Sequence, residues 1–352
     1  MTQTLNLTID GRAAQCAPGA TVYDVAVAHG VYIPTLCHHK KLCTRGACRI
    51  CMVEVEGLRT LVPSCAYPAA KGMVVHTDTP KVKEARRFVL DLILAEGHHD
   101  CLVCPADGDC EIQRVAFRTG YGEMPKYPAR PEWPVDESHP FVRFDPNRCI
   151  LCGRCVAGCQ EVQVNGVLSV GFRSGKTKIV ADQDQRLADS SCVACGECIQ
   201  SCPTGALTEK KSRFTAKRAQ VDRTRTVCSY CGVGCSMTLH SVGDRIVRVT
   251  GANGPANHGS LCVKGRFGFD YVNHVDRLTA PLVRKDGAQV AVEWDEALDL
   301  AAGELRRIRE RHGPDALAVL ASAKCTNEEN FLIQKFARAV LGTNNVDHCA
   351  RL

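Results

Sequence analysis

The segment Cys149-Ile-Leu-Cys-Gly-Arg-Cys-Val-Ala-Gly-Cys159 recurs 43 residues later as Cys192-Val-Ala-Cys-Gly-Glu-Cys-Ile-Gln-Ser-Cys202, so thiols fall twice into the spacing C-x2-C-x2-C-x3-C. This repeat constrains the fold more than any hydrophobic pattern, because thiols so closely spaced turn the backbone around a common centre. The chain holds 23 cysteines in 352 residues. Disulfides, zinc and iron–sulfur clusters are the chemistries that use so many. Disulfide frameworks suit small secreted chains with a signal peptide, and Met1 to Asp10 carries neither a basic region nor an apolar core. The apolar run Phe88 to Ala95 is broken by Asp91 and is too short to cross a bilayer. A reducing cytoplasm and no membrane span are therefore expected, and cysteines clustered there are mostly metal ligands.

The formal charge of +6 invites a nucleic-acid partner, yet it counts every cysteine as neutral. Each oxidised cluster with its thiolates adds roughly one or two negative charges. The basic excess then reads as counter-charge, and no nucleic acid is expected.

The repeat carries the two-cluster bacterial ferredoxin signature, in which the fourth cysteine of each run ligates the other cluster. This places Cys149, Cys152, Cys155 and Cys202 on one [4Fe–4S] cubane, and Cys192, Cys195, Cys198 and Cys159 on a second. Pro203 follows the second run as the signature expects, while Gln160 replaces proline after the first.

Three further sets are present. Cys37, Cys48, Cys51 and Cys65 are spaced C-x10-C-x2-C-x13-C. Arg45, Gly46 and Ala47 precede the short pair and suit a loop whose backbone N–H groups aim at sulfur; zinc is the rival metal. The set resembles the [2Fe–2S] domain shared by the large electron-input subunit of respiratory complex I and iron-only hydrogenases. Cys101, Cys104 and Cys110, preceded by His98 and His99, resemble the His/Cys3 [4Fe–4S] domain of the same families. There the histidine lies four residues before the first cysteine, a position that Gly97 holds here. A helix stop at Gly97 could turn either histidine inward, and His98 is the favoured ligand. Cys228, Cys231, Cys235 and Cys262 would alone read as a zinc ribbon. Their surroundings, Val227-Cys-Ser-Tyr-Cys-Gly-Val-Gly-Cys235 and Leu261-Cys-Val-Lys-Gly-Arg266, resemble the N-terminal [4Fe–4S] domain of molybdopterin-dinucleotide oxidoreductases, formate dehydrogenases most of all. That resemblance implies an electron-relay role for Lys264, between cluster and pterin. Cys16, Cys43, Cys325 and Cys349 are left over, and Cys16 on a strand and Cys349 near an apolar segment read as packed or free thiols.

The expected fold is α+β and multidomain. Residues 4–9 alternate as a strand, Asp10-Gly11 turns, Arg12–Cys16 returns, and Thr21 caps a helix to about His29 that Gly30 stops. This reads as a β-grasp [2Fe–2S] domain over 1–78. A His/Cys3 cluster domain follows over 79–140, opened by a helix from Thr79 and Pro80 to Gly97 with Phe88, Val89, Leu92 and Ile93 on one face. Residues 119–147, rich in Pro, Gly and Tyr, read as a linker. The two-cluster ferredoxin-like domain is placed at 141–210. A basic stretch (Lys210, Lys211, Arg213, Lys217, Arg218) then marks a boundary before a pterin-oxidoreductase [4Fe–4S] domain at 224–285. From 286 an α/β domain begins, with a helix capped by Asp295 to about His312, a strand over Ala316–Ala321 and a helix over Asn327–Leu341.

Ala323-Lys-Cys-Thr-Asn-Glu-Glu-Asn-Phe331 and Lys335-Phe-Ala-Arg-Ala-Val-Leu-Gly-Thr-Asn-Asn-Val-Asp347 also resemble formate dehydrogenase catalytic subunits. In that family an Ala-Arg-hydrophobic triplet precedes the metal-ligating cysteine or selenocysteine. Ala350-Arg351-Leu352 is that triplet, so no catalytic ligand is present and the residue after Leu352 would supply it. The expectation is a selenocysteine codon, UGA, read as stop; a deliberate cut is the alternative. An unclosed α/β domain should expose Leu298, Leu305, Phe336 and Val340. The resemblance implies formate oxidised to CO2 at a Mo- or W-bis(pterin guanine dinucleotide). One [2Fe–2S] and four [4Fe–4S] clusters would carry the electrons to a partner of flavin/NAD, ferredoxin or hydrogenase type. As given, the chain would conduct electrons without turning over formate. The alternative is a dedicated electron-transfer subunit of a complex I- or hydrogenase-like assembly.

Overall fold

The structure, a computed structural model, describes residues 4–122, 132–216 and 218–349, in two compact units that divide between Ala219 and Gln220. The first unit opens with β1 (Leu5–Ile9) and β2 (Arg12–Cys16), a hairpin turned by Asp10 and Gly11 at φ 47° and 76°. Both turn residues lie in the left-handed region that a two-residue hairpin requires. Leu7 and Ile9 point inward, as the alternation expects. Helix α1 (Val22–Ala28) starts at a reciprocal cap: the Thr21 hydroxyl accepts from the Asp24 N–H, and the Asp24 carboxylate accepts from the Thr21 N–H. With β3 (Met52–Val55), β4 (Val62–Pro63) and β5 (Val74–His76), the sheet order is β2-β1-β5-β3-β4, with β5 parallel to β1. This is the β-grasp arrangement. Its core of Val22, Val25, Val53 and Val75 also takes in Cys51 and Cys65.

Helix α2 (Pro80–Ala95) starts at Thr79, whose hydroxyl accepts from the Val82 N–H. Its inward face matches the expected one only in part, with Val89 and Ile93 packed against the core. Val82, Arg86, Leu90 and Ala95 are buried, whereas Phe88 and Leu92 are exposed. The Arg86 guanidinium donates to the Met52 carbonyl, which turns that side of the helix onto β3. Helix α3 (Glu111–Thr119) ends at Gly120, left-handed at φ 66°.

The expected boundaries at 78/79 and 140/141 do not separate independent cores. Leu36 and Ile50 from the first cysteine loop pack with Leu90, Ile112 and Val115, and Ile150 of the first ferredoxin run joins them. Next come β6 (Val142–Phe144), α4 (Arg154–Ala157), β7 (Leu168–Gly171), β8 (Lys178–Ala181), α5 (Glu197–Ser201) and β9 (Leu207–Glu209). Antiparallel β6 and β9 close this segment from its two ends, and β7 pairs with β8. Strand β6 lies inside the stretch read as a linker, of which residues 123–131 fall outside the described residues.

The second unit begins with an antiparallel sheet of β10 (Asp222–Val227), β11 (Ser236–Val242) and β12 (Arg245–Gly251), then α6 (Val263–Phe267). The expected boundary at 285/286 falls at the tip of a hairpin, β13 (Leu282–Lys285) and β14 (Ala288–Ala291). Helix α7 (Trp294–His312) has Glu293 at its N-cap, with Asp295 inside the first turn rather than capping it. Strand β15 (Val319–Ala321) starts later than expected because Pro314–Ala316 forms a 3-10 turn. Helix α8 (Asn327–Phe336), with a Thr326–Glu329 capping box, widens into a π turn over Ala337–Leu341. It connects β15 to a parallel partner, β16 (Val346–His348). Leu298, Phe336 and Val340 are exposed and Leu305 is half-buried. Lys217 and the triplet Ala350-Arg351-Leu352 lie outside the described residues.

Candidate metal centres

The first set sits where the β-grasp core meets its long loop. Ile50, fully buried between Cys48 and Cys51, anchors the loop, and Arg49 at φ 61° turns it. The backbone N–H groups of Ala47 and Cys48 point at the Cys37 sulfur, as the loop sequence suggests. The Cys51 and Cys65 sulfurs are 3.3 Å apart. Hydrogen bonds from the Cys48 and Cys65 thiols hold Cys37 far below the usual thiol range. The Cys65 thiol pulls Cys51 down to about 7. Hydrogen bonding to Cys37 pushes Cys48 and Cys65 far up. Four thiolates at this spacing repel, so full ionisation needs added positive charge, which a ferric core brings. The donor set fits a [2Fe–2S] cluster.

The second set lines a cavity of about 690 Å³ that includes His98, His99, Cys101, Cys104 and Cys110. Burial pushes Cys104 up, and Cys110 up to about 11. The structure divides the two histidines. His98 is exposed, and its Nε2 lies 3.4 Å from Glu132 Oε1. His99 is half-buried, and burial lowers its pKa. The Ile93 carbonyl accepts a hydrogen bond from its ring, while Nε2 is buried with no hydrogen-bond partner. That bond therefore runs through Nδ1 and leaves the Nε2 lone pair free, the state in which imidazole binds metal. Three thiols and this nitrogen fit a His/Cys3 cubane, with His99 rather than the expected His98 presenting the free donor.

The two ferredoxin runs repeat their backbone as well as their spacing. Leu151 and Ala194 both take left-handed φ values, 53° and 55°, and Gly153 and Gly196 follow at 74° and 70°. A non-glycine residue in that region costs about 1–3 kcal/mol. Here it turns the Leu151 N–H onto the Cys149 sulfur and the Ala194 N–H onto the Cys192 sulfur, each at 3.4 Å. The runs also cross. Cys149, Cys152, Cys155 and Cys202 line one cavity. Cys152 is pushed up by burial and then by the Cys202 thiolate. Cys192 is raised chiefly by burial and also by Cys159. Asn165 reaches Cys195 from the side at 3.8 Å. The spacing points to the cysteines of the two runs but not to Asn165, because no spacing rule links it to them.

In the second unit, the Cys228 N–H donates to the Cys235 carbonyl, closing the first three cysteines into a tight loop. Burial, then the Cys228, Cys231 and Cys262 thiolates, raise Cys235. Cys262 stands at the N-cap of α6, and Lys264 is exposed in its first turn. A Cβ on Gly265 would lie 3.3 Å from the Cys228 sulfur, so glycine lets α6 approach the loop. Among the described residues no three His, Cys, Asp or Glu side chains converge as a single-ion site requires. A cubane binds each ligand to a separate iron corner, a [2Fe–2S] cluster binds two to each iron, and both ask that the sulfurs surround a cavity. Of the leftover thiols, Cys16 packs on the β-grasp core, Cys325 is half-buried, and Cys43 and Cys349 are exposed.

Known families match these segments in the same order. A 2Fe-2S iron-sulfur cluster binding domain matches residues 2–80. The NADH-ubiquinone oxidoreductase-G iron-sulfur binding region matches 86–125. The ferredoxin-like domain of NADH-quinone oxidoreductase subunit 3 matches 139–208. The molybdopterin oxidoreductase Fe4S4 domain and the molybdopterin oxidoreductase family match 221–274 and 277–352. The "Putative formate dehydrogenase YrhE" of Bacillus subtilis is 37% identical over 99% of this chain and 40% of the relative. A "Putative formate dehydrogenase" of Staphylococcus aureus (strain USA300) is 35% identical over 100% and 39%. The chain carries the cluster domains and the opening part of the molybdopterin oxidoreductases, and is similar along its whole length to relatives named as putative formate dehydrogenases.

The chain spans about 40% of the length of the curated relatives it matches. A solved NAD+-reducing [NiFe]-hydrogenase in the H2-reduced state is similar over 60% of this chain and 90% of its own, with 36% identity and a TM-score of 0.56. No helix of the described residues is long and apolar enough to cross a membrane.

Proposed function

We propose that this chain is the electron-conducting part of a formate dehydrogenase that oxidises formate to CO2. The observation that carries the reading is the crossed placement of Cys202 beside Cys152 and Cys155, and of Cys159 beside Cys192. Crossed ligation holds two cubanes close together, the arrangement an electron conduit needs. The proposed ligands are Cys37, Cys48, Cys51 and Cys65 for one [2Fe–2S], and Cys101, Cys104, Cys110 and His99 for a [4Fe–4S]. The two crossed sets take two more cubanes, and Cys228, Cys231, Cys235 and Cys262 take a fourth. When bound, such clusters supply one-electron transfer. The chain's own work is to hold the thiolates, to aim N–H groups at sulfur from Ala47, Cys48, Leu151 and Ala194, and to exclude water. Lys264 is the proposed relay toward a Mo- or W-bis(pterin guanine dinucleotide) in the full-length protein. The likeness to an NAD+-reducing hydrogenase supports an electron-accepting partner of flavin/NAD or hydrogenase type, and the thiol-rich sites support a reducing, cytoplasmic setting.

That same likeness, over 90% of the hydrogenase chain, favours a second reading, a carrier subunit of a hydrogenase-like assembly. Anaerobically prepared protein should hold about 18 irons with matching acid-labile sulfide; stoichiometric zinc would overturn both readings. The full-length protein should reduce a viologen dye with formate. Full iron with no formate-dependent reduction would leave the carrier reading standing.

A further inference from the structure

The two ferredoxin runs differ in charge at one matched position. Cys-Gly-Arg154-Cys in the first becomes Cys-Gly-Glu197-Cys in the second. Both side chains are buried, with exposures of 3% and 1%. Each opens its helix, α4 or α5, directly after a left-handed glycine. An otherwise repeated framework therefore holds a cation beside one thiol set and an anion beside the other.

Their partners lie in different places. Arg154 Nη1 donates to Glu111 Oε2 at 2.9 Å and to the Leu36 carbonyl at 3.1 Å. Leu36 precedes Cys37 of the first set, and Glu111 follows Cys110 of the second. The arginine thus stands where three cysteine sets meet, and its charge favours the Cys152 thiolate. Glu197 is ion-paired to Lys41 over a longer 3.8 Å. It also packs against Gly158, where a Cβ would lie 3.4 Å from its Cγ, next to Cys159, the first-run member of its own crossed set.

We propose that Arg154 and Glu197 are positioning residues that give the two cubanes different reduction potentials, higher at the Cys149/Cys152/Cys155/Cys202 set. This rests on the two-cubane reading above. A buried cation stabilises the added electron and a buried anion opposes it. A single electron leaves the Cys192/Cys195/Cys198/Cys159 centre, which is oxidised, and reduces the Cys149/Cys152/Cys155/Cys202 centre. No bond is made or broken and no proton is required. The direction is toward the junction where Arg154 meets the first and second sets.

Redox titration of the whole chain with dithionite, followed by electron paramagnetic resonance, tests this. Arg154→Met should lower the reduction equilibrium of the first-run centre about tenfold, which is about 59 mV for a one-electron couple. Glu197→Gln should raise that of the second-run centre by a similar factor, narrowing the gap from the other side. Where a buried variant loses iron, the partner variants decide. Glu111→Gln leaves Arg154 less neutralised and should raise the first-run centre; Lys41→Met should lower the second-run centre. Shifts of the same sign in Arg154→Met and Glu197→Gln, or none with full iron content, overturn the proposal. Absence of two cubane signals in the unaltered chain would instead overturn the reading on which it rests.

Discussion

A Cβ on Gly97 would lie 2.1 Å from the carbonyl oxygen of Asn147. That carbonyl cannot give way easily. It accepts from the His98 N–H at 2.8 Å, and the Asn147 side chain is tied to both the N–H and the carbonyl of Trp133. No side chain fits at 97, the place where the resembling families carry their histidine. Gly97→Ala should therefore cost about 1–3 kcal/mol through overpacking, read as a lowered unfolding midpoint. His99→Ala should abolish the signal of the second-set cluster, and His98→Ala should leave it intact. Gly97→His in the His99→Ala background should not restore it. Retention of that signal in His99→Ala would return the ligand role to His98.

Crossed ligation predicts which variants behave alike. Cys202→Ala should silence the same cubane signal as Cys149→Ala, and Cys159→Ala the same one as Cys192→Ala. Each variant should lose up to about four of roughly 18 irons. Electron paramagnetic resonance of the reduced proteins checks this, and Cys202→Ala matching Cys192→Ala would break the crossed assignment.

Gly205 reports on the second set from a distance in sequence. A Cβ on Gly205 would stand 2.6 Å from the Cys104 sulfur, which lies on a short side chain with little room to retreat. Gly205→Ala should reduce occupancy of that cluster, with about four irons lost at most, while the [2Fe–2S] signal persists. Unchanged iron content and unchanged spectra would show that the sulfur accommodates the methyl group.

The grouping of the cysteines was legible because metal chemistry constrains spacing along the chain: C-x2-C leaves few ways to present two sulfurs to one centre. The β-grasp hairpin was legible for a similar reason, since Asp10-Gly11 and the alternation around it are local signals. What lay beyond the sequence is non-local. His98 and His99 are adjacent, and only the Asn147 carbonyl packed on Gly97 and the Ile93 carbonyl under the ring decide which one turns inward. Of the apolar face expected on α2, Val89 and Ile93 pack on the core, whereas Phe88 and Leu92 stay exposed because Arg86, tied to the Met52 carbonyl, takes the side facing β3. A second core, beside that of the β-grasp sheet, joins the three expected segments of the first unit because Leu36, Leu90 and Ile112 meet across them with Ile150 packed against them, a contact that no local pattern announces.

His139 gives the fold a dependence on pH that does not involve the cysteines. It is buried just before β6, and its Nδ1 accepts from the N–H groups of both Phe141 and Val142 at 3.1 Å. Burial, and then the nearby Lys210 ammonium, hold its pKa below the usual histidine value, with Asp136 opposing. Protonating Nδ1 would cost both hydrogen bonds at the strand start. Below about pH 6.5 the unfolded chain takes up a proton that the native site refuses, so stability falls with pH until the native pKa is reached. Above that range the contribution is fully present. His139→Ala should cost about 1–3 kcal/mol at pH 8, from two backbone donors left unpaired. It should also show a shallower decline in unfolding midpoint between pH 7 and pH 5.5 than the unaltered protein. Parallel declines in the two proteins would assign the acid sensitivity to other groups.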